Sequence, residues 1–161
     1  MGRSVNSMYD LRSATHSDLL KTASWIEDAE DARLWSGSRV SFPVQLSSLA
    51  RDLEFEVADS WCLEIRGEVA AFGQIVPKAN GRRHLARLIV DPGRRGGGLG
   101  RILAKALVES ARQSTQTSVS LNVDPGNAAA LALYTSLGFR ESDRPPDEPP
   151  SRSFYMEHAA T

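Results

Sequence analysis

The stretch Arg94-Arg95-Gly96-Gly97-Gly98-Leu99-Gly100-Arg101 lies between an apolar run and an amphipathic segment. The apolar run, residues 85–90, is followed by the breaker Asp91-Pro92-Gly93. The amphipathic segment places apolar side chains on one helical face, at Leu99, Ile102, Leu103, Ala106, Leu107 and Ala111. This pattern predicts a strand, a glycine loop and a helix in direct succession.

Glycines at the start of a helix leave backbone N–H groups open to an anion. The helix has not yet used these donors, and its dipole favours negative charge at this end. Arg94, Arg95 and Arg101 add positive charge, which suits a ligand with more than one phosphate. Plain turn chemistry is the alternative interpretation of the glycines, and their spacing alone leaves it open.

The glycine loop does not match either of two common phosphate-binding motifs. A Walker A loop requires Gly-Lys followed by Ser or Thr, but Gly100 is followed by Arg101 and Ile102, so the magnesium-binding hydroxyl is missing. The dinucleotide fingerprint G-x-G-x-x-G needs a third glycine where Arg101 or Leu103 stands. The sequence therefore argues against nucleotide hydrolysis, and we assign no metal ligand.

The spacing Arg95-x-x-Gly98-x-Gly100 resembles the acetyl-CoA loop of the GNAT N-acetyltransferase superfamily, which reads Gln or Arg-x-x-Gly-x-Gly or Ala. The resemblance extends to Val90-Asp91-Pro92 before the loop and to Asn127-x-x-Ala130-x-x-Leu133-Tyr134-x-x-x-Gly138-Phe139 after it. These three linked motifs cover about the second third of the chain. Residues 1–80 match the family only in the order of predicted elements.

The resemblance implies acetyl-CoA as co-substrate and assigns its contacts. The strand end Leu88-Ile89-Val90 would hold the pantetheine arm and aim a backbone N–H at the thioester oxygen. The backbone amides of the loop would hold the pyrophosphate, at Arg95, Gly96, Gly97, Gly98, Leu99, Gly100 and Arg101.

Asn127 and Tyr134 lie close to two helical turns apart and so share a helix face. By the resemblance, Asn127 contacts the coenzyme. Tyr134 is our candidate for the acid that protonates the departing thiolate. The alternative for Tyr134 is a packing role beneath the turn at Gly138 and Phe139.

The sequence departs from the family pattern at the general base. Many relatives carry a glutamate on the fourth strand, but residues 84–90 contain no carboxylate. We predict His84 as the base, because strand alternation places it on one face with Ala86, Leu88 and Val90 and its pKa suits proton removal near neutrality. The alternative is that His84 is a solvated residue at the start of the strand. Three other groups could act as the base through water: Glu64, Glu157 and His158.

The remaining pattern predicts an α/β (α+β) protein. Besides the strand that ends at Val90, strands are expected over residues 8–14, 61–65, 69–76, 118–123 and 153–158, and helices over 16–26, 44–55, 99–111 and 127–137. Residues 34–43 and 141–152 are predicted as loops. The resemblance implies a GNAT-like three-layer fold, with a mixed, mainly antiparallel sheet of about six to seven strands and about four helices. Three aromatic side chains are either core or part of an acceptor pocket: Trp25, Trp35 and Phe42.

Composition sets the outer bounds. With 161 residues, 41% hydrophobic and 24% charged, we expect a single N-acetyltransferase domain over residues 1–161. A formal net charge of -1 gives no general attraction to nucleic acid or to an anionic membrane. No run approaches a membrane span and no apolar signal-peptide core follows Met1. The one cysteine, Cys62, excludes an internal disulfide, and we expect a cytoplasmic protein.

The function expected from the sequence is direct transfer of an acetyl group from acetyl-CoA to a small-molecule amine or a protein amino group. One alternative is a CoA-binding module with sensory or scaffolding work and no turnover, against which the intact Asn127 and Tyr134 argue. Another is RNA binding through the arginines, against which the balanced net charge argues. The arginines in question are Arg82, Arg83, Arg87, Arg94 and Arg95. A homodimer through exposed sheet edges is a further expectation.

Overall fold

The centre of the protein is one eight-stranded sheet, and the computed structural model describes residues 3–4, 8–115 and 117–159. The strands are β1 (Arg3–Ser4), β2 (Tyr9–Ser13), β3 (Asp59–Ile65), β4 (Glu68–Pro77), β5 (Arg83–Val90), β6 (Val119–Val123), β7 (Arg140–Glu141) and β8 (Phe154–His158). They lie side by side in the order β1-β2-β3-β4-β5-β6-β8-β7.

Helices cover both faces of this sheet. They are α1 (His16–Ala23), α2 (Ala29–Ser36), α3 (Leu49–Asp52), α4 (Leu99–Ser114) and α5 (Ala128–Ser136), with short 3-10 turns at Ala79–Gly81 and Pro92–Arg94. Within the described ranges, no helix combines the length and the apolar character needed to cross a bilayer.

Strand pairing makes the sheet mixed and mainly antiparallel, as predicted. β1 to β5 pair antiparallel in chain order, β5 and β6 pair in parallel, and β8 pairs antiparallel with both β6 and β7. The strand count exceeds the prediction because β1 and β7, with two residues each, carry too little pattern to be seen in the sequence. The predicted fold class is confirmed.

Two apolar cores hold the layers together. On one face, α4 buries Leu103 and Leu107 against the sheet, and Gly73 of β4 permits this close packing, since a Cβ there would lie 2.8 Å from Leu107 Cδ1. On the opposite face, α1 and α2 bury Leu19 and Trp35 together with sheet residues that include Phe72. The sheet is therefore the middle layer of three.

The helices on the second face differ from the prediction. The acidic segment after Ile26 begins a new helix, α2, because Asp28 caps it by accepting a hydrogen bond from Asp31 N at 2.8 Å. The loop predicted over residues 34–43 was therefore wrong at its start. Of the helix predicted over residues 44–55, only α3 (Leu49–Asp52) is present. The chain leaves the helical conformation before Glu54, which has φ +55.

Candidate active site

β5 and β6 pair over two residues and then diverge. The pairs are Arg83 with Val119 and His84 with Ser120, while β5 continues to Val90 and β6 to Val123. A wedge therefore opens between the two strands, where the facing backbone groups have lost their ladder partners. The wedge leads into a cleft of about 480 Å³, a volume typical of a small-molecule site.

A bulge interrupts β5 beside this wedge. Gln74 pairs with Ala86 and Phe72 with Ile89, so Gly73 on β4 lies opposite two residues of β5, Arg87 and Leu88. Arg87 has φ +53, an uncommon backbone conformation for a residue with a side chain.

Hydrogen bonds hold the bulge from both sides of Arg87. Its Nε donates to Gln74 Oε1 at 2.6 Å, and its Nη2 donates to the Leu53 carbonyl at 3.1 Å and lies 3.3 Å from Glu54 Oε1. The Arg87 carbonyl accepts a hydrogen bond from Trp35 Nε1 at 2.9 Å. The strained residue is thereby fixed where the strands separate.

The bulge also changes which β5 side chains share a face. Leu88 and Val90 pack in the core beneath α4, whereas Ile89 packs in the core beneath α1 and α2. His84 contacts Ser120 and Asn122 of β6, which alternate with core residues of the α4 side, so the imidazole lies on the opposite face. The prediction that His84 shares a face with Leu88 and Val90 was wrong, because the extra residue at the bulge breaks the alternation.

The glycine loop follows the end of β5 at the mouth of the wedge. Gly96 and Gly98 adopt φ +85 and +81, conformations that favour glycine, and Gly98 is the N-cap of α4 without a side-chain capping hydrogen bond. A Cβ at either glycine would meet nothing within 4 Å, so the space beside them is open. The first-turn amides of α4, at Leu99, Gly100 and Arg101, lie next to this open space and have no partner within the helix, which suits an anion.

The arginines around the loop anchor it to neighbouring elements. Arg95 Nε donates to the Val90 carbonyl at 3.2 Å, and Arg101 Nη1 donates to Ser136 Oγ at 2.6 Å. Arg94 pairs with Glu68 at 2.6 Å, which ties the turn before the loop to the start of β4. Their positive charge stays close to the loop amides.

α5 and its N-cap residue also line the cleft, through Asn127, Ala130 and Tyr134. Asn127 is the N-cap of α5, and its Oδ1 accepts a hydrogen bond from Ala130 N at 3.1 Å, which leaves the side-chain NH₂ as a donor. The half-buried ring of Tyr134 packs edge-on against Phe139, and its apolar surroundings raise the pKa of Tyr134 to about 12. The phenol is therefore protonated at neutral pH.

His84 lies deep in the cleft rather than in solvent. It is 6% exposed; its Nδ1 lies 2.8 Å from Ser120 Oγ, and its Nε2 lies 3.3 Å from Asn122 Nδ2. Burial, reinforced by the charges of Lys78 and Arg82, lowers the pKa of His84 to about 4 despite nearby Glu148. At neutral pH the ring is uncharged, and both of its nitrogens have partners.

Glu148 is a cleft carboxylate that the sequence did not reveal. Its side chain is 3% exposed and pairs with Arg82 at 3.0 Å and with Lys78 at 3.4 Å. Burial acts to raise the pKa of Glu148, but the hydrogen bond from Arg82 and the neighbouring positive charge outweigh it, and the pKa lies below its usual range. Glu148 lies in the loop predicted over residues 141–152, within Pro145-Pro146-Asp147-Glu148-Pro149-Pro150, and this stretch gives no sign of burial.

The remaining aromatic residues and alternative bases differ in whether they line the cleft. Of the three aromatic residues, Trp35 lines the cleft, Trp25 is core at 6% exposed, and Phe42 is 42% exposed outside the cleft. The three alternative bases all lie outside the cleft lining. Glu64 pairs with Arg12, Glu157 accepts a hydrogen bond from Ser142, and His158 contacts Arg112.

A splayed parallel strand pair with a glycine loop at its mouth is the arrangement of the N-acetyltransferase fold class. A model described as the acetyltransferase (GNAT) family matches residues 7–139, most of the sequence, and the chain belongs to this family.

Individual relatives match over shorter stretches. The [ribosomal protein bS18]-alanine N-acetyltransferase of Escherichia coli is 38% identical over 76 residues, 47% of this chain and 51% of that enzyme. The mycothiol acetyltransferase of Kocuria rhizophila is 50% identical over 50 residues, 31% of this chain and 16% of that protein. The aligned part thus spans about half of one relative and a smaller part of the other.

Solved structures match over nearly the whole chain. The aminoglycoside acetyltransferase AAC(6')-Ib, in complex with ribostamycin and coenzyme A, superimposes with a TM-score of 0.74 at 22% identity and covers 95% of this chain and 94% of its own. The E. coli ribosomal-protein-S18-alanine N-acetyltransferase gives a TM-score of 0.67 at 26% identity, covering 93% and 90%. At 22% identity the first likeness concerns the fold alone.

Proposed function

We propose that this protein transfers the acetyl group of acetyl-CoA directly to an amine. The observation that carries the proposal is the wedge between β5 and β6, with the open glycine loop at its mouth and Tyr134 on its wall. Membership of the GNAT family, and coenzyme A in the AAC(6')-Ib complex, support the same assignment.

The two halves of the coenzyme would bind to different parts of this site. The pantetheine arm would extend along the strand end Leu88-Ile89-Val90 and use backbone groups that lack strand partners. The pyrophosphate would take the amides from Arg95 to Arg101, which include Gly96, Gly97, Gly98, Leu99 and Gly100. The free NH₂ of Asn127 would donate to the coenzyme from the α5 side.

The reaction needs no covalent enzyme intermediate. The nitrogen of a neutral amine attacks the thioester carbon, and a backbone N–H at the end of β5 stabilises the resulting oxyanion. The C–S bond then breaks, and the thiolate takes a proton from Tyr134, which is protonated at neutral pH. Burial raises the pKa of Tyr134 and so makes the phenol a weaker acid, which the charge of the thiolate formed beside it would have to offset. The phenolate regains a proton from solvent.

His84 remains our candidate for the group that removes the amine proton. The expectation that its pKa suits proton removal near neutrality was wrong, because burial lowers the pKa of His84 to about 4 and makes the ring a weaker base. Ser120 and Asn122 also occupy its nitrogens, so it would act only after the contact with Asn122 opens, or through a water molecule that replaces this contact. The cytoplasmic location and the homodimer stay predictions.

Thermal unfolding with and without acetyl-CoA tests the coenzyme site. A ligand at about a hundred times its Kd adds roughly 2.7 kcal/mol, which raises Tm by about 5 to 10 °C in a chain of this size. S-acetylpantetheine lacks the pyrophosphate and should give a clearly smaller shift. No shift with millimolar acetyl-CoA, and no thiol release with any amine, would contradict the proposal.

A further inference from the structure

Positive charge dominates the lining of the cleft. Among the described residues, six basic side chains line it: Arg33, Arg39, Lys78, Arg87, Arg144 and Arg152. Within the same described part of the chain, three carboxylates line it: Glu54, Asp124 and Glu148. This excess of basic over acidic side chains attracts anions into the cleft.

The three carboxylates are already neutralised by the protein's own cations. Glu54 lies 2.9 Å from Arg39, and Asp124 lies 2.7 Å from Arg33. Glu148 pairs with Arg82 at 3.0 Å. None of the three is free to receive an ammonium group, so the cleft offers little to a substrate that carries several positive charges.

Arg144 is held in the cleft wall by neutral groups. Its Nη1 donates to Asn122 Oδ1 at 2.9 Å, its Nη2 donates to the Ser153 carbonyl at 2.9 Å, and its guanidinium lies 5.6 Å from the centre of the Tyr155 ring. The side chain is half-buried, and no described carboxylate forms an ion pair with it. A positioned, partly desolvated cation without a counter-charge is well suited to an incoming anion.

Arg152 follows the proline-rich stretch of residues 145–150, which Arg144 precedes, and it also lines the cleft. It is exposed, and no described residue gives it a hydrogen bond or an ion pair. Arg144 and Arg152 therefore place two uncompensated positive charges on the segment that closes one side of the cleft.

We infer that the acetyl acceptor is a small amine that also carries an anionic group, a carboxylate or a phosphate, bound by Arg144 and Arg152. The inference rests on the proposed function, because it assigns the acceptor of that same cleft. It separates this chain from an enzyme acting on polycations, such as the aminoglycosides bound to AAC(6')-Ib or the spermine bound to the spermidine N-acetyltransferase of Vibrio cholerae.

The test uses acceptor pairs that differ only in the anion. β-Alanine is compared with β-alaninamide, and phosphoethanolamine with ethanolamine, while spermidine and kanamycin represent polycations. For each compound, thiol release gives kcat/KM, and calorimetry in the presence of CoA gives a Kd that does not depend on turnover. We expect kcat/KM for at least one anionic compound to exceed that of its partner without the anion, and that of both polycations, by about tenfold or more.

Matched variants connect this preference to the two arginines. Arg144→Gln and Arg152→Gln should each reduce it to about threefold or less. Arg140→Gln, in the neighbouring strand β7 and outside the cleft lining, should retain it. Because Arg152 has no described partner, its variant tests the inference even if Arg144→Gln fails to fold.

The outcomes distinguish the two proposals. If acetyl-CoA binds but neither anionic member is preferred over its partner without the anion and over both polycations, the acceptor assignment is overturned and the coenzyme site stands. A preference that survives both arginine variants also overturns it. If acetyl-CoA itself does not bind, the proposed function fails, and the acceptor assignment fails with it.

Discussion

Trp35 Nε1 donates a hydrogen bond to the carbonyl oxygen of Arg87 at 2.9 Å, and this contact joins α2 to the bulge of β5. Arg87 holds φ +53, while its side chain is fixed by Gln74 and Glu54 on the same face of the sheet. Because the bulge lies where β5 leaves β6, this bond helps to set the shape of the wedge proposed to bind the coenzyme.

Trp35→Phe removes that hydrogen bond and leaves the Arg87 carbonyl without its donor. We expect the free energy of unfolding to fall by about 1 to 2 kcal/mol more than the loss of ring area alone produces. Trp61→Phe is the matched control, since Trp61 Nε1 is buried without a partner among the described residues. Urea denaturation of both variants measures the difference, and equal losses would show that the Trp35 bond contributes nothing.

Gly98→Ala tests the loop. The new methyl group would occupy the open space beside the first turn of α4, so we expect the Kd for acetyl-CoA to rise about tenfold, or 1.4 kcal/mol. Gly81→Ala is the control for backbone strain, because Gly81 has φ +74 at the opposite end of β5. Calorimetric titration should find the affinity of the Gly81 variant unchanged. Unchanged affinity in the Gly98 variant would remove the loop as the phosphate site.

Tyr134→Phe tests the proposed acid. The packing against Phe139 survives while the phenolic proton is lost, so kcat should fall about a hundredfold and the Kd for acetyl-CoA should change little. Steady-state thiol release and calorimetry measure the two quantities separately. Turnover equal to that of the parent protein would restrict Tyr134 to packing.

The strand, loop and helix around the glycines could be predicted because their signals are local. Alternation, the breaker Asp91-Pro92-Gly93 and helical spacing all lie within one continuous stretch. The bulge at Arg87 could not be predicted from the sequence, because it depends on how β5 pairs with β4. It moves every later side chain of β5 to the opposite face of the sheet. Assigning His84 to one face with Leu88 failed for this reason.

Residues that depend on distant partners were also missed. Glu148 is buried beside Arg82, which lies directly before β5 and neutralises it, and nothing in the sequence of residues 145–150 indicates that contact. The start of α2 was missed because the predicted helix over residues 16–26 is followed by an acidic cluster with no clear apolar spacing, although Asp28 in this cluster is the N-cap of the next helix. Apolar periodicity carries no information about either contact.

The buried imidazole of His84 should make stability depend on pH in a defined window. Its pKa is lowered to about 4 in the folded protein, against about 6.5 in an unfolded chain. Between these values the unfolded state binds the extra proton, so the free energy of unfolding falls as the pH decreases from about 6.5 to about 4, by at most about 3 kcal/mol from this group.

His84→Gln removes this contribution and keeps a side chain that can hydrogen-bond to Ser120. Urea denaturation at several pH values should therefore give a shallower fall below pH 6.5 for the variant than for the parent protein, although the variant is less stable at pH 7.5 because the native contacts are altered. His16→Gln, at an exposed position of α1, controls for the replacement of a histidine as such. If the parent and His84→Gln curves run parallel between about pH 6.5 and 4, the His84 imidazole titrates in the folded state as it does in the unfolded chain. The lowering of the His84 pKa by burial would then have to be abandoned, and the imidazole would keep the near-neutral pKa that suits a general base.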